Sequence, residues 1–479
     1  MSHRFVRIAF FGVSAGVSIS LATAACTVSA TTGPENAAGS EGGTPGNDAG
    51  GGSMAIDVPP GREAGAGSDS GERPDTGAAP FVQAPHPAWP VVTAFPPGRV
   101  LKPLKLVSIV VQGDPLSSAL FGFGDALVSG TWWKAVTPDY GLGTASSPTV
   151  HVTGPAIPDS ATHADPKNPD GPEMSQYILS LIAAHTAPAP DDNTMYMLYL
   201  PPGVAAFDDA TGTSNTMCQL YGGYHDVLDP SATQDGGAGG VAWGFAQRCP
   251  GTAMPSDQDT LTVAASHEIL EATTDPVPGY GWGLAGPDPE LELTTPWVQL
   301  PDVALGGEVG DLCAGSQWSD GTYAYQRIWS TTAAMGAGDP CVPAYPDVPY
   351  VNVSAAPSPD AAQAGLAAGW YAVTAGSSVT IPLTGFSDRP AADWFVYPSP
   401  GATNDTAAQL TTAITSPSIV QTNAGPTATV HNGGTATLTV TAAPGTPSGT
   451  WTTVQVISQP EQSIGGDPAH YWPVGVYVP

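Results

Sequence analysis

The sequence predicts an α/β domain followed by an all-β, Ig-like sandwich, both carried behind a disordered N-terminal tether. Three observations predict it. Strand-like and helix-like runs alternate from residue 104 to residue 274; beyond residue 350 the helical period gives way to short alternating runs; and residues 27–84 hold almost no large apolar side chains. Strands alternating with helices imply a sheet covered by helices. Many short strands separated by turns imply two sheets packed face to face.

Residues 1–26 read as an export signal. Arg4 and Arg7 supply the positive start, residues 8–25 are apolar and small, and Ala24-Ala25-Cys26 closes the segment. A cysteine directly after such a run marks a bacterial lipoprotein signal, with Cys26 lipidated and anchoring the chain to a membrane. Plain secretory cleavage is the alternative, since Thr23 stands where the lipoprotein pattern prefers Leu. The expected location is the outer membrane or cell surface, or the extracellular space. No other stretch is apolar for long enough to span a bilayer. Residues 27–84 are rich in Gly, Ser, Ala, Thr, Asp and Pro, and cannot bury enough apolar surface to offset the entropy of ordering. The expected domains after this linker are 85–345 and 346–479.

Composition narrows the partners. The 479 residues include 12 Lys+Arg against 42 Asp+Glu, a net charge of -30, so nothing here neutralises phosphates and nucleic acid is disfavoured. Charged residues make up only 11% while Gly (58) and Pro (51) are abundant, which suits an exported, turn-rich protein. Besides Cys26 there are Cys218, Cys249, Cys313 and Cys341. An even count in an exported chain predicts two disulfides. Of the connectivities open to four cysteines, the sequence-local pairs Cys218–Cys249 and Cys313–Cys341 are expected; each closes a loop of about 30 residues, worth ~3–4 kcal/mol in chain entropy. A four-cysteine zinc site would need closer pairs.

The α/β part begins with a buried strand over residues 104–112 (LKLVSIVVQ) and a helix over 116–128. Trp132 and Trp133 follow, read as packing residues, one inside and one at a rim, with sugar stacking as the sharper alternative. A second strand covers 148–153, a helix 173–185 and a third strand 194–200. Residues 218–250 look like loop, with Gly236 to Gly240 in the middle. A helix then runs over 259–274, capped by Asp257 or Asp259 and ended by Asp275-Pro276, because the residue before proline is pushed out of the helical region.

That last helix carries the chemistry. His267 and Glu271 are four apart and share a face, and Glu268 lies about 100° round from His267. The spacing follows the logic of H-E-x-x-H zinc peptidases with Glu in place of the second His. Zn²⁺ accepts imidazole nitrogen and carboxylate oxygen, and a catalytic site needs three protein ligands. His267 and Glu271 supply two, and Glu268 is the expected catalytic base. H-E-x-x-E also arises on ordinary solvated helices. Further on, Gly307-Glu308-Val309-Gly310-Asp311-Leu312-Cys313 places two carboxylates three apart. Glu308 is the candidate third metal ligand and Asp311 the partner that orients His267; a calcium site or a surface loop would place the same residues. From residue 350 to 479 the runs 370–383, 394–397, 427–441, 450–457 and 471–478 read as strands, with Asn432-Gly433-Gly434 a hairpin turn. His431 and His470 are ordinary strand or loop residues in this reading.

Residues 104–342 resemble the Exordium (phosphate-induced protein) family, known from plants, and its bacterial relatives. The resemblance rests on Trp132-Trp133-Lys134, Met217-Cys218, Gly223-Tyr224-His225, Cys249-Pro250-Gly251, the run SHEILEATTDP, the run EVGDLC and Asp339-Pro340-Cys341, in that order. It implies a zincin-like metallopeptidase core, carries over His267, Glu268 and Glu271, and supports Glu308 and Asp311. It makes Asp275 a helix-end residue, and His225 either a substrate contact near the metal or a packing histidine. The family is associated with extracellular growth and the cell wall. The expected function is an exported, membrane-anchored zinc metallohydrolase acting on a peptide or cell-wall-associated substrate. The alternative is a non-catalytic surface binding or adhesion protein on the same scaffold. A glycosidase using Glu268 and Glu271 is disfavoured, because a sugar must sit between its two carboxylates and these lie side by side.

Overall fold

Alternation along a single strand organises the first half. In Lys105–Val111, Leu106 and Val110 enter one apolar cluster while Val107 and Ile109 enter another, because successive side chains of a strand face opposite sides. The structure is a computed structural model. It describes residues 80–95, 98–158, 164–165, 168–172, 174–206, 222–228, 240–249, 254–284, 296–299, 307–336, 338–358, 369–403, 410–422, 424–460 and 468–479. The expected signal, Cys26 and most of the linker lie outside these residues.

Lys105–Val111 belongs to a five-stranded sheet. Its spatial order is Val150–Gly154, Lys105–Val111, Thr194–Tyr199, Ala242–Ala246, Gly223–Val227. The first four strands are parallel and the last is antiparallel, with His225 opposite Gly244. The helices Ser117–Ser129 and Asp257–Thr274 pack on one face through Leu120, Phe123, Leu261 and Ile269. Met174–Ala183 packs on the other through Tyr177, Ile178 and Leu181. Two strands lie where loop was expected, within 218–250. Ala242–Ala246 is buried at every position, so no polar alternation marks it as a strand. Both Trp132 and Trp133 are buried, and their indole N–H groups donate to the carbonyls of Gln326 and Gly143 at 2.8 and 2.9 Å. Neither sits at a rim, and with both rings enclosed no face is left for a sugar.

The C-terminal part is built from two sheets. One has the order Val351–Ala355, Ser378–Ser387, Thr435–Ala442, Leu410–Thr415. The other has the order Trp370–Ala372, His470–Tyr477, Trp451–Pro460, Trp394–Thr403, Gly425–Val430, Ile419–Thr422. Ile381, Leu438 and Val440 from the first share a core with Val396, Val456 and Val474 from the second. Asn432-Gly433-Gly434 is not a hairpin turn: it passes the chain from one sheet to the other, and Gly433 takes φ +82. The Asn432 side chain is used elsewhere, accepting from the Ala84 N–H at 2.9 Å and donating to the Val82 carbonyl at 2.8 Å. Segment 80–95 thereby lies along the sandwich. Trp89 meets Trp472 at a tilt (ring centroids 5.1 Å) and Trp297 edge-on (5.7 Å), and Thr93–Ala94 pairs with Trp282–Gly283 just beyond the 257–274 helix.

The expected α/β zincin-like metallopeptidase core is corrected by this architecture. Among the described residues strand outweighs helix, 36% to 20%, and it is spread over several sheets with few helices between them. The physical reason is visible in the sequence. Three longer runs read as helices from their helix formers or apolar spacing, whereas the pairs Gln317–Ser319 with Ala324–Gln326 and Ile328–Trp329 with Cys341–Val342 are too short to show any period.

Candidate metal centre

The 257–274 helix is buried along most of its length, between the five-stranded sheet and the Gln317–Gln326 hairpin. Its cap is Ser256, whose Oγ accepts from the Asp259 N–H; Asp257 and Asp259, the expected caps, fall in its first turn. Acidic groups there favour the positive end of the helix dipole. A buried helix this polar must satisfy its side chains internally. Ser266 donates to the Val263 carbonyl and accepts from the Gln326 N–H, both at 2.8 Å, and Gln326 Nε2 donates to the Gly310 carbonyl. These bonds fix residues 308–313 against the helix. The turn Asp311–Cys313 is further tied by the disulfide Cys313–Cys341. Cys249 is also in a disulfide, and its expected partner Cys218 lies outside the described residues.

Glu271 is the hub. Its Oε1 accepts from the Gly310 and Asp311 N–H groups at 3.0 and 3.1 Å, which leaves Oε2 aimed at two imidazoles. Oε2 lies 2.8 Å from His267 Nε2 and 3.8 Å from His225 Nδ1. His225, on the antiparallel edge strand, points inward: Nδ1 donates to Glu268 Oε2 at 3.2 Å, and Nε2 lies 3.5 Å from Glu308 Oε2. Glu308 is held by a bridge to Gly283, and its own N–H donates to Asp311 Oδ2 at 3.2 Å. Asp311 Oδ1 lies 3.7 Å from His267 Nε2. Two glycines make this convergence sterically feasible. A Cβ on Gly310 would stand 2.7 Å from Glu271 Oε1 and 2.8 Å from His267 Nδ1; one on Gly223 would stand 2.6 Å from Glu268 Oε1.

The electrostatics are those of crowded anions. Burial, reinforced by Glu271, Asp275, Asp311 and Glu268, pushes the Glu308 carboxyl well above the carboxylate range. Burial disfavours the His267 and His225 cations, but the surrounding carboxylates outweigh it and raise both rings. Burial would also raise Glu271, yet His267 and His225 hold it below its ordinary value. Asp275 is more than a helix-end residue: it is 2% exposed, accepts from the Gly279 and Tyr280 N–H groups, and is raised to about 7, chiefly by burial.

The donor set fits a divalent cation. His225 Nε2 and Glu308 Oε1 are buried with no hydrogen-bond partner, in residues 6% and 5% exposed. Buried polar atoms without partners are rare in folded proteins and often mark an ion or water site. Two sets of donors lie within 4.8 Å of one another: His225, Glu271 and Glu308, and His267, Glu268 and Glu271. The sequence brought His267, Glu268, Glu271, Glu308 and Asp311 into consideration, and all converge here. The expected ligands His267 and Glu308 are divided between the two sets, and His225, read as a substrate contact or packing residue, stands among the donors. The sequence signal for His225 is the Gly223-Tyr224-His225 piece of the family resemblance; its inward position among the donors comes from the strand Gly223–Val227, in a stretch expected to be loop.

No family model matches the chain, and no curated protein matches it. Among solved structures it is similar to the ASH/PapD-like domain of human CEP192, at 10% identity over 28% of this chain and 87% of that one, TM-score 0.18. It is also similar to WR4, an MSP family member of C. elegans, at 14% identity over 23% of this chain and 91% of that one, TM-score 0.15. A family 123 glycoside hydrolase from Clostridium perfringens matches at 7% identity over 28% of this chain and 27% of that one, TM-score 0.18. Likenesses this slight carry no argument about function.

Proposed function

We propose that the chain is an exported, metal-dependent hydrolase acting on peptide or cell-wall-associated substrates, with Zn²⁺ as its cation. One observation carries the reading: the orphaned His225 Nε2 and Glu308 Oε1, buried inside a ring of carboxylates. His225, Glu271 and Glu308 would hold the cation, and His267 stands against the same Glu271 carboxylate. A cation so held supplies Lewis acidity, polarising a carbonyl and making water a better nucleophile near neutral pH. Glu268 is the carboxylate available to take a proton from the attacking water and return it to the leaving group. Its hydrogen bond to Nδ1 orients the His225 ring so that Nε2 faces Glu308. Substrate approaches from the His267 side, where the side chain is 15% exposed. The disulfide Cys313–Cys341 suits an oxidising compartment, in keeping with the export signal and the Exordium resemblance.

The test is metal content of the purified protein together with hydrolysis of casein and of peptidoglycan peptides by wild type and Glu268→Gln. Activity that depends on Zn²⁺ and falls about 10²-fold or more in the variant supports the reading. Protein that takes up no metal, or a variant as active as wild type, overturns it. Burial favours a second reading, a non-catalytic surface binding protein with a structural cation: Glu268, Glu271, His225 and Glu308 are each at most 6% exposed. Metal uptake without hydrolysis, combined with retention on isolated cell walls, would select it.

A further inference from the structure

We infer that the cluster holds two divalent cations side by side, with Glu271 donating to both. The inference rests on the metal-dependent reading above and deepens it. Its geometric basis is the division of donors: the two sets share Glu271 alone, and neither contains both imidazoles. One cation therefore cannot take His225 and His267 together unless the side chains move. Glu271 is built for the shared position. Two backbone N–H groups clamp Oε1, and Oε2 is presented between His267 Nε2, at 2.8 Å, and the His225 ring, whose Nε2 faces Glu308.

Charge points the same way. Glu268, Glu271, Glu308 and Asp311 bring four carboxylates to the cluster, all at most 7% exposed. The largest charges acting on Glu271 and Glu308 are the two imidazoles and other carboxylates, not Lys or Arg. One divalent cation balances two of these four carboxylates and leaves His267 alone to offset the others; a second cation balances all four. At the end of the cluster formed by His225 and Glu308, both orphaned atoms await a donor-acceptor partner. At the other, His267 opens slightly to solvent and Asp311 stands 3.7 Å from its Nε2. Paired cations bound by a shared carboxylate are the arrangement with which hydrolases clamp both the attacking and the leaving oxygen.

The experiment is a stoichiometry. The full chain, stripped with chelator, is titrated with Mn²⁺ and with Zn²⁺, and bound metal is counted after gel filtration; Mn²⁺ samples are also read by electron paramagnetic resonance for spin coupling between neighbouring ions. The expected result is two equivalents, with a coupled Mn²⁺ spectrum. Glu308→Gln and His267→Ala should each retain one equivalent with an uncoupled spectrum, and Glu271→Gln should retain neither. One equivalent in the wild type overturns the inference and leaves the metal-dependent reading standing. No bound metal overturns both. Should a variant fail to fold, judged by near-ultraviolet circular dichroism, the wild-type count and spectrum decide the matter alone.

Discussion

Replacing Glu308 by Gln acts with opposite sign on the metal-free and metal-loaded protein. Without a cation, the Glu308 carboxyl sits buried among four other carboxylates, and its pKa is pushed well above the ordinary range. A carboxyl raised on folding destabilises above its unfolded pKa of ~4.3, and that penalty disappears as pH falls below it. At pH 7 the ceiling is about 4 kcal/mol, the cost of keeping protonated a group that water would ionise. Gln has the same shape and no charge. Side-chain relaxation already relieves part of the repulsion, so metal-free Glu308→Gln should be stabilised by about 1–3 kcal/mol. With a cation present the variant lacks an anionic donor. Structural zinc sites release about 10–16 kcal/mol through four ligands, so one ligand is worth ~3 kcal/mol, or roughly 100-fold in affinity. The assay is urea unfolding at pH 7, in EDTA and in saturating Zn²⁺. The variant's midpoint should rise in EDTA, and its gain on adding Zn²⁺ should shrink. A midpoint that falls in EDTA, with an undiminished gain from Zn²⁺, would refute both the crowding and the donor role.

Gly310→Ala should lower Zn²⁺ affinity by about 10–100-fold, since the new Cβ displaces the Glu271 carboxylate and the His267 ring it meets; competition with a chelating dye measures this, and unchanged affinity would count against the close approach. Asp339 sets an acid limit. Burial raises its carboxyl, but the buried Arg327 guanidinium and His470 outweigh burial and hold it below its ordinary value. Stability from this pair is thus fully present above ~pH 4 and lost as pH falls through the depressed folded value. Urea midpoints between about pH 6 and 2 should fall more steeply for wild type than for Asp339→Asn, and parallel curves would argue against the linkage. At neutral pH the same variant should cost ~3–5 kcal/mol, because Arg327, 0% exposed, loses its anion. Cys341→Ser opens a loop with a sequence separation of 28 and should cost about 3–4 kcal/mol on thermal unfolding. Equal melting of wild type and variant under oxidising conditions would show that the bridge does not form.

Much of this was legible along the chain because it depends on neighbours in sequence. The strand expected over 104–112 runs Lys105–Val111, since a short apolar, β-branched run marks a strand buried on both faces, and the helix expected over 173–185 runs Met174–Ala183, since apolar residues at helical spacing report burial on one face. The spacing of His267, Glu268 and Glu271 on one helix follows from 3.6 residues per turn, and the Cys313–Cys341 bridge follows from cysteine count and proximity. Other features had no local signal. Ser256 rather than an aspartate caps the helix, because the two acids already lie within its first turn. The strands Gly223–Val227 and Ala242–Ala246 are too short and too uniformly apolar or mixed to be told from loop.

What the sequence by itself determined is the chemistry on offer: a histidine and two glutamates close together on one helix, two more carboxylates three residues apart, and a strong excess of acidic over basic residues. What only the tertiary structure decided is which of them meet. His225 arrives on an antiparallel strand 42 residues before His267 (267 − 225), and Glu308 arrives on a turn 41 residues after it (308 − 267). Proximity across such separations is set by sheet order and by the Ser266–Gln326–Gly310 hydrogen bonds, which no spacing along the chain encodes. The same packing strips water from five carboxylates at once, and it is this shared desolvation that turns ordinary side chains into a site demanding positive charge.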